Sequence, residues 1–306
     1  LLGGYFLKKE FEKYGYNLST DDINSPEKSE IVIYNDMPRR VPKKMEGVRN
    51  YLLILESPLV VKSSWDQKKM NAFEKIFSWN DEVIDEKKHF KINYTFDLPK
   101  IVEKEKERKK LCALISGHKL SSNSSELYSE RIKVIRWFEE NAPDDFDLYG
   151  IGWDRPAFTG ILKFLKKIPQ LHFLLPFKKF SSYRGKVDKK REVLENYKFS
   201  ICYENILGLS GYITEKIFDS MFAGTIPVYL GAKNITDHVP ENCFIDMRKF
   251  KSIEDLYNYI SKMSDMEIME YQVNIESFLN SEKAQSFCVT NFSQTIVSNI
   301  LDRRND

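Results

Sequence analysis

Short apolar runs alternate with longer polar stretches through the first half of the chain, and each run has the length of a strand. Four of them predict buried strands, at residues 31–34, 51–55, 111–115 and 146–149. Between the last two, Tyr128, Ile132 and Ile135 follow one another at the i, i+4, i+7 spacing of a helix with one apolar face. Strands that alternate with helices predict a parallel, doubly wound α/β sheet.

The second half repeats this alternation. The predicted elements are a helix at 188–196, a strand at 199–203, a helix at 215–223, a strand at 226–230, a short strand at 244–245 and a helix at 252–263. The remaining sequence stays helical to the C-terminus. We therefore expect two α/β lobes with a cleft between them.

The break between the halves lies in residues 151–183, which are rich in Phe, Lys and Pro. Because prolines interrupt regular structure, we divide the chain here, into lobes 1–155 and 156–306. Large aromatic residues also gather in this segment, among them Trp153, Phe158, Phe164, Phe173 and Phe177. Aromatic residues at such spacing usually belong to a core, and a platform for a ligand is the alternative.

Composition narrows the classes of function. The chain has 306 residues, of which 42% are hydrophobic and 30% charged, as in a folded globular protein. Its formal net charge of +2 argues against a nucleic-acid-binding protein, which needs a concentrated basic surface. No apolar run approaches the roughly 18 residues that cross a bilayer. The chain begins with Leu1 rather than Met, so a removed signal or anchor stays open.

The cysteines and histidines form no recognisable site. Four cysteines without a CxxC pair give neither a zinc motif nor a disulfide framework. Cys112 and Cys202 lie inside apolar runs, as small buried side chains do. The four histidines do not cluster with acids at ligand spacing, so we predict no metal centre. A reducing, cytoplasmic compartment is the expected location.

The strongest candidate for chemistry is the loop from Tyr203 to Lys216, which joins the predicted strand at 199–203 to the predicted helix at 215–223. In an open α/β sheet, ligands bind at this edge. Free N–H groups at a helix N-terminus attract a phosphate, and Thr214 is the expected N-cap. Lys216 in the first turn opposes the helix dipole, a cost that an anion would offset. An ordinary surface lysine is the alternative.

Two further charged residues are candidates. Glu56 follows a wholly apolar strand and therefore lies at its carboxyl edge, where a carboxylate can act as a general base. Arg131 lies in the helix after the strand at 111–115, where a guanidinium can clamp a phosphate with two hydrogen bonds. For both residues, a solvated surface charge is the alternative.

Three linked blocks of sequence resemble the signature of the GDP-fucose-dependent α1,3/1,4-fucosyltransferases. They are Tyr197-Lys-Phe-Ser-Ile-Cys-Tyr-Glu-Asn205, Gly211-Tyr-Ile-Thr-Glu-Lys216 and Ala223-Gly-Thr-Ile-Pro-Val-Tyr-Leu-Gly231. Weaker similarity extends over roughly residues 30–295, through Leu55-Glu-Ser-Pro58, Phe77-Ser-Trp79, and Ser122-Asn123 followed by Arg131. Three blocks at consistent spacing are far more specific than a single short motif.

The resemblance implies a GT-B fold, an α/β protein with two Rossmann-like lobes and an active-site cleft between them. The C-terminal lobe would bind GDP-fucose, and the N-terminal lobe would face a glycan acceptor. The reaction would be an inverting transfer of L-fucose to a hydroxyl of an N-acetylglucosamine- or glucose-containing glycan. No cofactor would be required, and a divalent metal that stimulates turnover stays open. The high Lys, Ile and Asn content favours a microbial source.

The resemblance also implies roles for individual residues. The matching donor-binding positions are Arg131, Asn205, Tyr212, Glu215 and Lys216. Of these, Lys216 and Arg131 correspond to basic residues that hold the diphosphate, and Glu215 corresponds to an acid near the sugars of the donor. Glu56 corresponds to the proposed general base, which takes the proton of the acceptor hydroxyl.

Two rival functions stay open at this point. One is a transferase that uses another GDP-sugar, because the motifs indicate nucleotide and diphosphate more firmly than the sugar. The other is a catalytically silent glycan- or nucleotide-binding protein of the same fold. The sequence leaves the acceptor, the linkage and the oligomeric state undetermined, and it leaves open a peripheral membrane association through a basic, aromatic surface.

Overall fold

A computed structural model describes residues 2–99, 102, 106–157 and 177–302, which form two parallel β-sheets with helices around them. The strands are β1 (Ile31–Asn35), β2 (Arg49–Ile54), β3 (Lys75–Ser78), β4 (His89–Lys91), β5 (Lys110–Ile115), β6 (Phe146–Tyr149), β7 (Tyr197–Tyr203), β8 (Ile226–Leu230) and β9 (Ile245–Asp246). The helices are α1 (Leu2–Glu12), α2 (Gln67–Met70), α3 (Tyr128–Asn141), α4 (Lys190–Leu194), α5 (Glu215–Phe222), α6 (Ile235–His238), α7 (Ile253–Ile260), α8 (Asp265–Leu279), α9 (Glu282–Gln285) and α10 (Val289–Ile300). Every strand predicted from the apolar runs is confirmed.

The first sheet has the strand order β1-β2-β3-β4, and each neighbouring pair is parallel. Both of its faces are buried, since Leu52 and Ile54 pack in one apolar cluster and Tyr51 and Leu53 in another. Burial on both faces explains why β2 reads as an almost unbroken apolar run. The sequence pattern did not predict β3 and β4, which have 4 and 3 residues.

Helices from both ends of the chain cover one face of this sheet. Leu7 of α1 and Ile296 of α10 pack together in the cluster that contains Tyr51. Near the end of α10, the ammonium group of Lys75 donates a hydrogen bond to the carbonyl of Asn299 at 2.6 Å. The C-terminal end of a helix favours such a cation. The last helix of the chain is therefore part of the first lobe.

The second sheet has the strand order β6-β5-β7-β8-β9, again with every pair parallel. This order is that of a doubly wound sheet in which the chain reverses its direction of travel between β5 and β7. Phe199 and Val228 lie at its centre with Phe138 of α3, all without solvent exposure. Gly224 follows α5 with a φ of +65°, the left-handed conformation in which a glycine commonly ends a helix.

The sheets divide the chain differently from the predicted lobes 1–155 and 156–306. Strands β5 and β6 pair with each other and, through β5, with β7, so they belong to the second sheet. Just before β5, the buried guanidinium of Arg108 donates to the carbonyl of Ala223 at 2.7 Å, which ties this part of the chain to the second lobe. The predicted boundary was wrong because an apolar run indicates a strand but not its partner, which long-range pairing decides.

The lobes meet beside the loop that leads into α5. The ring of Trp79, which follows β3, lies 4.7 Å from the ring of Tyr212 in the second lobe, measured between centroids. Beyond it, a carboxylate oxygen of Asp81 lies 2.9 Å from Asn234 Nδ2 and 2.7 Å from His238 Nε2. This contact brings the carboxyl end of β2 opposite the carboxyl end of β7.

Candidate active site

A cavity of about 720 Å³ lies between the lobes, where β2, β5, β6 and β7 end. It includes the point between β5 and β7 at which the chain reverses direction, the usual ligand site of an open α/β sheet. The volume is within the range of small-molecule sites. All six residues that the sequence indicated line this cavity: Glu56, Arg131, Asn205, Tyr212, Glu215 and Lys216.

Lys216 lies in the first turn of α5, and its side chain is only 16% exposed. Its ammonium group donates to the Thr214 hydroxyl at 2.8 Å and to the Glu204 carboxylate at 3.2 Å, and Glu215 Oε1 lies 3.4 Å away. Burial lowers the pKa of Lys216, but the carboxylates of Glu204 and Glu215 outweigh that effect and raise the pKa above its usual value. Lys216 is therefore a charged ammonium held at the cavity wall.

Glu204 directly follows β7 and is fully buried, and the sequence analysis did not select it. One carboxylate oxygen accepts the Thr214 N–H at 2.8 Å, and the other accepts the Thr214 hydroxyl at 2.7 Å. Thr214 occupies the N-cap position of α5 as predicted, yet its side chain makes no capping bond because it faces Glu204 instead. A signal was available, since an acid at the end of an apolar strand needs partners when it is buried.

Arg131 lies near the start of α3 and is 4% exposed. Its Nη2 donates to the carbonyls of Tyr203 and Glu204 at 2.6 and 2.7 Å, and to Asn205 Oδ1 at 3.1 Å. Burial lowers the pKa of Arg131, but a guanidinium remains charged in proteins. The end of β7 thus holds a second cation beside the cavity.

Asn205 and Tyr212 continue this network towards the first lobe. Asn205 Nδ2 donates to the hydroxyl oxygen of Tyr212 at 3.3 Å. Tyr212 is 1% exposed, and its burial raises the pKa of its hydroxyl, which stays protonated. Its ring also contacts that of Tyr94, with the centroids 6.2 Å apart. Tyr212 therefore connects the hydrogen-bonded residues at the end of β7 with the interface between the lobes.

Glu215 begins α5 beside Lys216. Burial raises the pKa of Glu215, but the nearby ammonium groups of Lys216 and Lys190 outweigh it and lower the pKa to about 2. The side chain is therefore an ionised carboxylate at neutral pH, able to accept hydrogen bonds from the hydroxyl groups of a ligand.

Glu56 contributes to the cavity from the first lobe and is partly buried. Burial raises the pKa of its carboxyl group, and the Asp36 carboxylate raises it further against the opposing charges of Lys119 and Lys216. A carboxylate with a raised pKa is a stronger base than an ordinary one. Glu56 therefore has the electrostatic setting of a general base.

Aromatic donors hold the backbone that carries this carboxylate. The carbonyl of Leu55 accepts hydrogen bonds from Trp79 Nε1 at 3.1 Å and from the hydroxyl of Tyr94. The carbonyl of Glu56 accepts one from Trp65 Nε1 at 3.2 Å. Because these rings belong to different parts of the first lobe, the position of Glu56 depends on the packing of that whole lobe.

Asp36 supports the same segment from the other side. Its Oδ1 accepts the N–H groups of Leu55 at 3.3 Å and Glu56 at 3.2 Å, and the hydroxyl of Ser64 at 3.2 Å. Asp36 adopts a φ of +56°, which is unusual for a residue other than glycine. The sequence analysis missed Asp36 because its partners are 19 or more positions away in the chain.

The opposite wall of the cavity comes from the loops after β5 and β6, which the sequence analysis also missed. This wall consists of Ser116, Gly117, His118, Lys119, Gly150, Ile151, Gly152 and Arg155. Among the residues that the structure describes, the cavity lining contains only two carboxylates, Glu56 and Glu215. It contains five lysines and arginines: Lys119, Arg131, Arg155, Lys190 and Lys216. A surplus of cations suits an anionic ligand.

The aromatic segment predicted as core or ligand platform is described only in part. Trp153 is buried in the core of the second lobe and stacks on His118, with the ring centroids 4.4 Å apart. Phe177 packs against the same cluster. The core interpretation is confirmed for these two residues. Phe158, Phe164 and Phe173 lie outside the described residues.

The described stretches of the chain contain neither a membrane-spanning helix nor a metal-binding group of side chains. No helix within residues 2–99, 106–157 or 177–302 combines the length and the apolar character that a bilayer crossing requires. The same stretches contain no group of three or more His, Cys, Asp or Glu side chains arranged to hold a metal ion.

A known protein family matches a large part of the second lobe. Residues 162–285 match the family model described as glycosyltransferase family 10 (fucosyltransferase) C-term. The chain carries a family 10 fucosyltransferase domain. The resemblance that the three sequence blocks indicated is thereby confirmed, and the matched range contains all of those blocks.

Curated relatives agree with this assignment. The chain is 32% identical to the α-(1,3)-fucosyltransferase FucT of Helicobacter pylori over 107 residues, which are 35% of this chain and 22% of that protein. It is 38% identical over 72 residues to an α-(1,4)-fucosyltransferase of Arabidopsis thaliana, covering 24% and 18%. The GDP-fucose protein O-fucosyltransferase 3 of Xenopus laevis is 36% identical over 81 residues, covering 26% and 17%. The matches thus span about a fifth of the length of each relative.

Solved structures extend the likeness to both lobes. A crystal structure of an α1,3-fucosyltransferase superposes with a TM-score of 0.53 over 99% of this chain and 86% of that one, at 13% identity. The transferase TarM superposes with a TM-score of 0.55 over 90% and 55%, also at 13% identity. At this identity the likeness shows the fold alone, and it confirms the predicted GT-B architecture.

Proposed function

We propose that this chain is an inverting glycosyltransferase of the α1,3-fucosyltransferase type. It would move L-fucose from GDP-fucose to a hydroxyl group of an N-acetylglucosamine- or glucose-containing glycan. The observation that supports this proposal is a single cavity that joins Glu56 of the first lobe to Arg131 and Lys216 of the second. The family 10 domain in the second lobe supports GDP-fucose as the donor.

In the proposed reaction, the acceptor oxygen forms a bond to C1 of fucose while the bond from C1 to the β-phosphate oxygen breaks. The electron pair of the broken bond leaves with GDP, and Glu56 takes the proton of the acceptor hydroxyl. Attack from the face opposite the diphosphate inverts the configuration at C1, by the logic of other inverting sugar reactions. The raised pKa of Glu56 suits this proton transfer.

The leaving diphosphate gains negative charge as the bond breaks. Lys216 and Arg131 are charged, buried and held by hydrogen bonds, so they need little rearrangement to stabilise that charge. One preorganised donor of this kind contributes roughly 3 kcal/mol to transition-state stabilisation. The ionised carboxylate of Glu215 would accept hydrogen bonds from hydroxyl groups of the donor sugars, and Asn205 and Tyr212 would complete the donor site.

A thermal-shift panel with GDP, UDP, CMP, GDP-fucose and GDP-mannose tests the donor. A nucleotide at about 100 times its dissociation constant should add near 2.7 kcal/mol of stability. We expect stabilisation by GDP and GDP-fucose alone. Equal or greater stabilisation by GDP-mannose would favour a transferase of another GDP-sugar, and no shift with any nucleotide would contradict the proposal.

The variant Glu56→Gln separates catalysis from binding. It keeps the size of the side chain but removes the proton acceptor, so we expect unchanged GDP affinity and a loss of transfer of about 100-fold or more. Glu254→Gln, on the exposed face of α7, makes the same change of charge and is the control. Transfer would be followed with N-acetyllactosamine as acceptor, and NMR of the product would give the linkage. A fully active Glu56→Gln enzyme would refute the assignment of the base, and GDP binding without any transfer by the unaltered protein would favour a silent binding protein.

A further inference from the structure

Glu204 contacts both cations of the candidate diphosphate site. Its carboxylate accepts a hydrogen bond from Lys216 Nζ at 3.2 Å, while its main-chain carbonyl accepts one from Arg131 Nη2 at 2.7 Å. We propose that Glu204 is a positioning residue that fixes Lys216, and with it the geometry of both cations, against the departing diphosphate. This inference rests on the proposed function, because it gives the two cations a diphosphate to face.

Glu204 is a fully buried carboxylate, and both of its oxygens accept hydrogen bonds. The residue has no solvent exposure, and a buried carboxylate is unfavourable unless it is paired and hydrogen-bonded. Both of its oxygens have partners, since Oε1 accepts the Thr214 N–H and Oε2 accepts both the Thr214 hydroxyl and Lys216 Nζ. An apolar side chain would fill such a place at lower cost, so the retained charge indicates a role towards Lys216.

The neighbouring strand leaves space for this side chain. A Cβ atom on Gly231, just after β8, would lie 2.5 Å from Glu204 Cγ and 2.9 Å from its Cβ. Real Cβ atoms do not approach other atoms so closely, so glycine at position 231 leaves the space that the Cβ and Cγ atoms of Glu204 occupy. The third sequence block therefore contributes to the site through the room that its glycine provides.

The expected effect of Glu204 is larger on catalysis than on donor binding. When the donor binds, loss of the Glu204 charge has two opposing results: Lys216 is less well placed, but one negative charge near the diphosphate disappears. As the leaving group separates, the negative charge on the diphosphate grows and a correctly placed ammonium becomes more important. A small displacement of a catalytic group can cost up to about 100-fold in rate.

The test compares Glu204→Gln in two backgrounds, the unaltered protein and Lys216→Ala. Turnover is measured as GDP released from GDP-fucose, and GDP affinity is measured by calorimetry. In the unaltered background we expect kcat to fall at least about tenfold while KM for GDP-fucose changes less than about threefold. In the Lys216→Ala background the same substitution should cause no further fall, because the group through which Glu204 acts is already gone. Glu254→Gln is the control for the change of charge and should leave both constants unaltered.

Equal losses of kcat on introducing Glu204→Gln in the two backgrounds would overturn the inference. It would also be overturned if the single variant Glu204→Gln kept a kcat within twofold of that of the unaltered protein. If Glu204→Gln does not fold, Thr214→Val asks the same question without a change of charge, because it removes the hydroxyl that joins Glu204 to Lys216. It should give a smaller loss of kcat that also vanishes in the Lys216→Ala background, and equal losses would again refute the idea. An unaltered protein that neither binds GDP nor cleaves GDP-fucose would overturn the proposed function first, before any variant is made.

Discussion

Two glycines in one loop allow a direct test of how the lobes meet. Gly211 and Gly208 both have a positive φ, of +78° and +82°. A Cβ atom on Gly211 would lie 2.2 Å from the carbonyl oxygen of Trp79 and 2.7 Å from Asp81 Oδ2, both in the first lobe. A Cβ atom on Gly208 would meet nothing within 4 Å. Substitution by alanine therefore strains the backbone equally at the two sites but crowds the lobe interface at only one.

The magnitudes follow from these contacts. Alanine in the left-handed region costs about 1–2 kcal/mol, and this is the whole cost that we expect for Gly208→Ala. Gly211→Ala adds the cost of overpacking, about 1–3 kcal/mol, because the carbonyl of Trp79 must move away. Since a difference of 1 kcal/mol shifts the melting temperature of a 306-residue protein by about 1.5 °C, the two variants should differ by about 2–5 °C.

Thermal melting followed by circular dichroism measures the stability, and calorimetry measures the affinity for GDP. Gly211→Ala should melt below Gly208→Ala and should bind GDP more weakly, because Tyr212 follows Gly211 directly and lines the cavity. Equal melting temperatures together with equal GDP affinities would refute the reasoning. They would mean that the carbonyl of Trp79 does not lie against this loop in solution.

Two further predictions concern charge and hydrogen bonding. Asp36→Asn removes the like charge that raises the pKa of Glu56 but keeps an oxygen for the backbone N–H groups, so the acid limb of the pH profile of kcat/KM should move to lower pH. A limb at unchanged pH would contradict the electrostatic role, and Asp36→Ala, which also loses the acceptor, should lower kcat in addition. The hydrogen bonds of Arg131 to Tyr203, Glu204 and Asn205 all come from Nη2, and a lysine has no second nitrogen with which it could also contact a diphosphate. Arg131→Lys should therefore cost about 1–3 kcal/mol in urea unfolding and weaken GDP binding about tenfold or more. Arg136→Lys is its matched control, since Arg136 also makes three hydrogen bonds from α3 but does not line the cavity; comparable GDP affinities in the two variants would exclude Arg131 from the donor site.

Local sequence patterns predicted the strands well but not their arrangement. A strand buried on both faces reads as an apolar run, as in β2, β5 and β7, so the run itself is enough to predict that the strand exists. Which sheet it joins depends on backbone pairing between distant segments, and for that reason β5 and β6 were assigned to the wrong lobe. α10 shows the same limit, because its apolar positions do not name their partner, and the structure shows that it packs against α1 and the first sheet.

The residues of the candidate site also fall into two groups, those that the sequence indicated and those that only the structure shows. Glu56, Lys216 and Arg131 were found because each belongs to a motif or follows a strand at its carboxyl edge. Asp36 and Glu204 also follow strands at their carboxyl edges, but they were not selected, because their role comes from neighbours that the fold brings to them. Asp36 reaches the segment of Glu56 across 20 positions of sequence, and Glu204 reaches Lys216 across 12. A supporting residue of this kind becomes visible only when the partners of a buried charge are known.

Because the proposed base, Glu56, and the cations Arg131 and Lys216 belong to different lobes, the contact between the lobes is a part of the candidate site. Glu56 belongs to the first sheet, whereas Lys216 belongs to a helix that follows the second, and no strand pairing joins the two sheets in the described chain. Their relative position is therefore set by contacts at the interface, which include side chains and the backbone hydrogen bond from the Asp81 N–H to the carbonyl of Ser210 at 3.3 Å. Trp79 is central there, because its indole N–H holds the carbonyl of Leu55 while its ring packs against Tyr212. Trp79 thus holds the segment of Glu56 and also contacts Tyr212. In the proposed reaction, a change in the lobe contact would therefore alter the distance over which proton transfer and departure of the diphosphate must be coordinated.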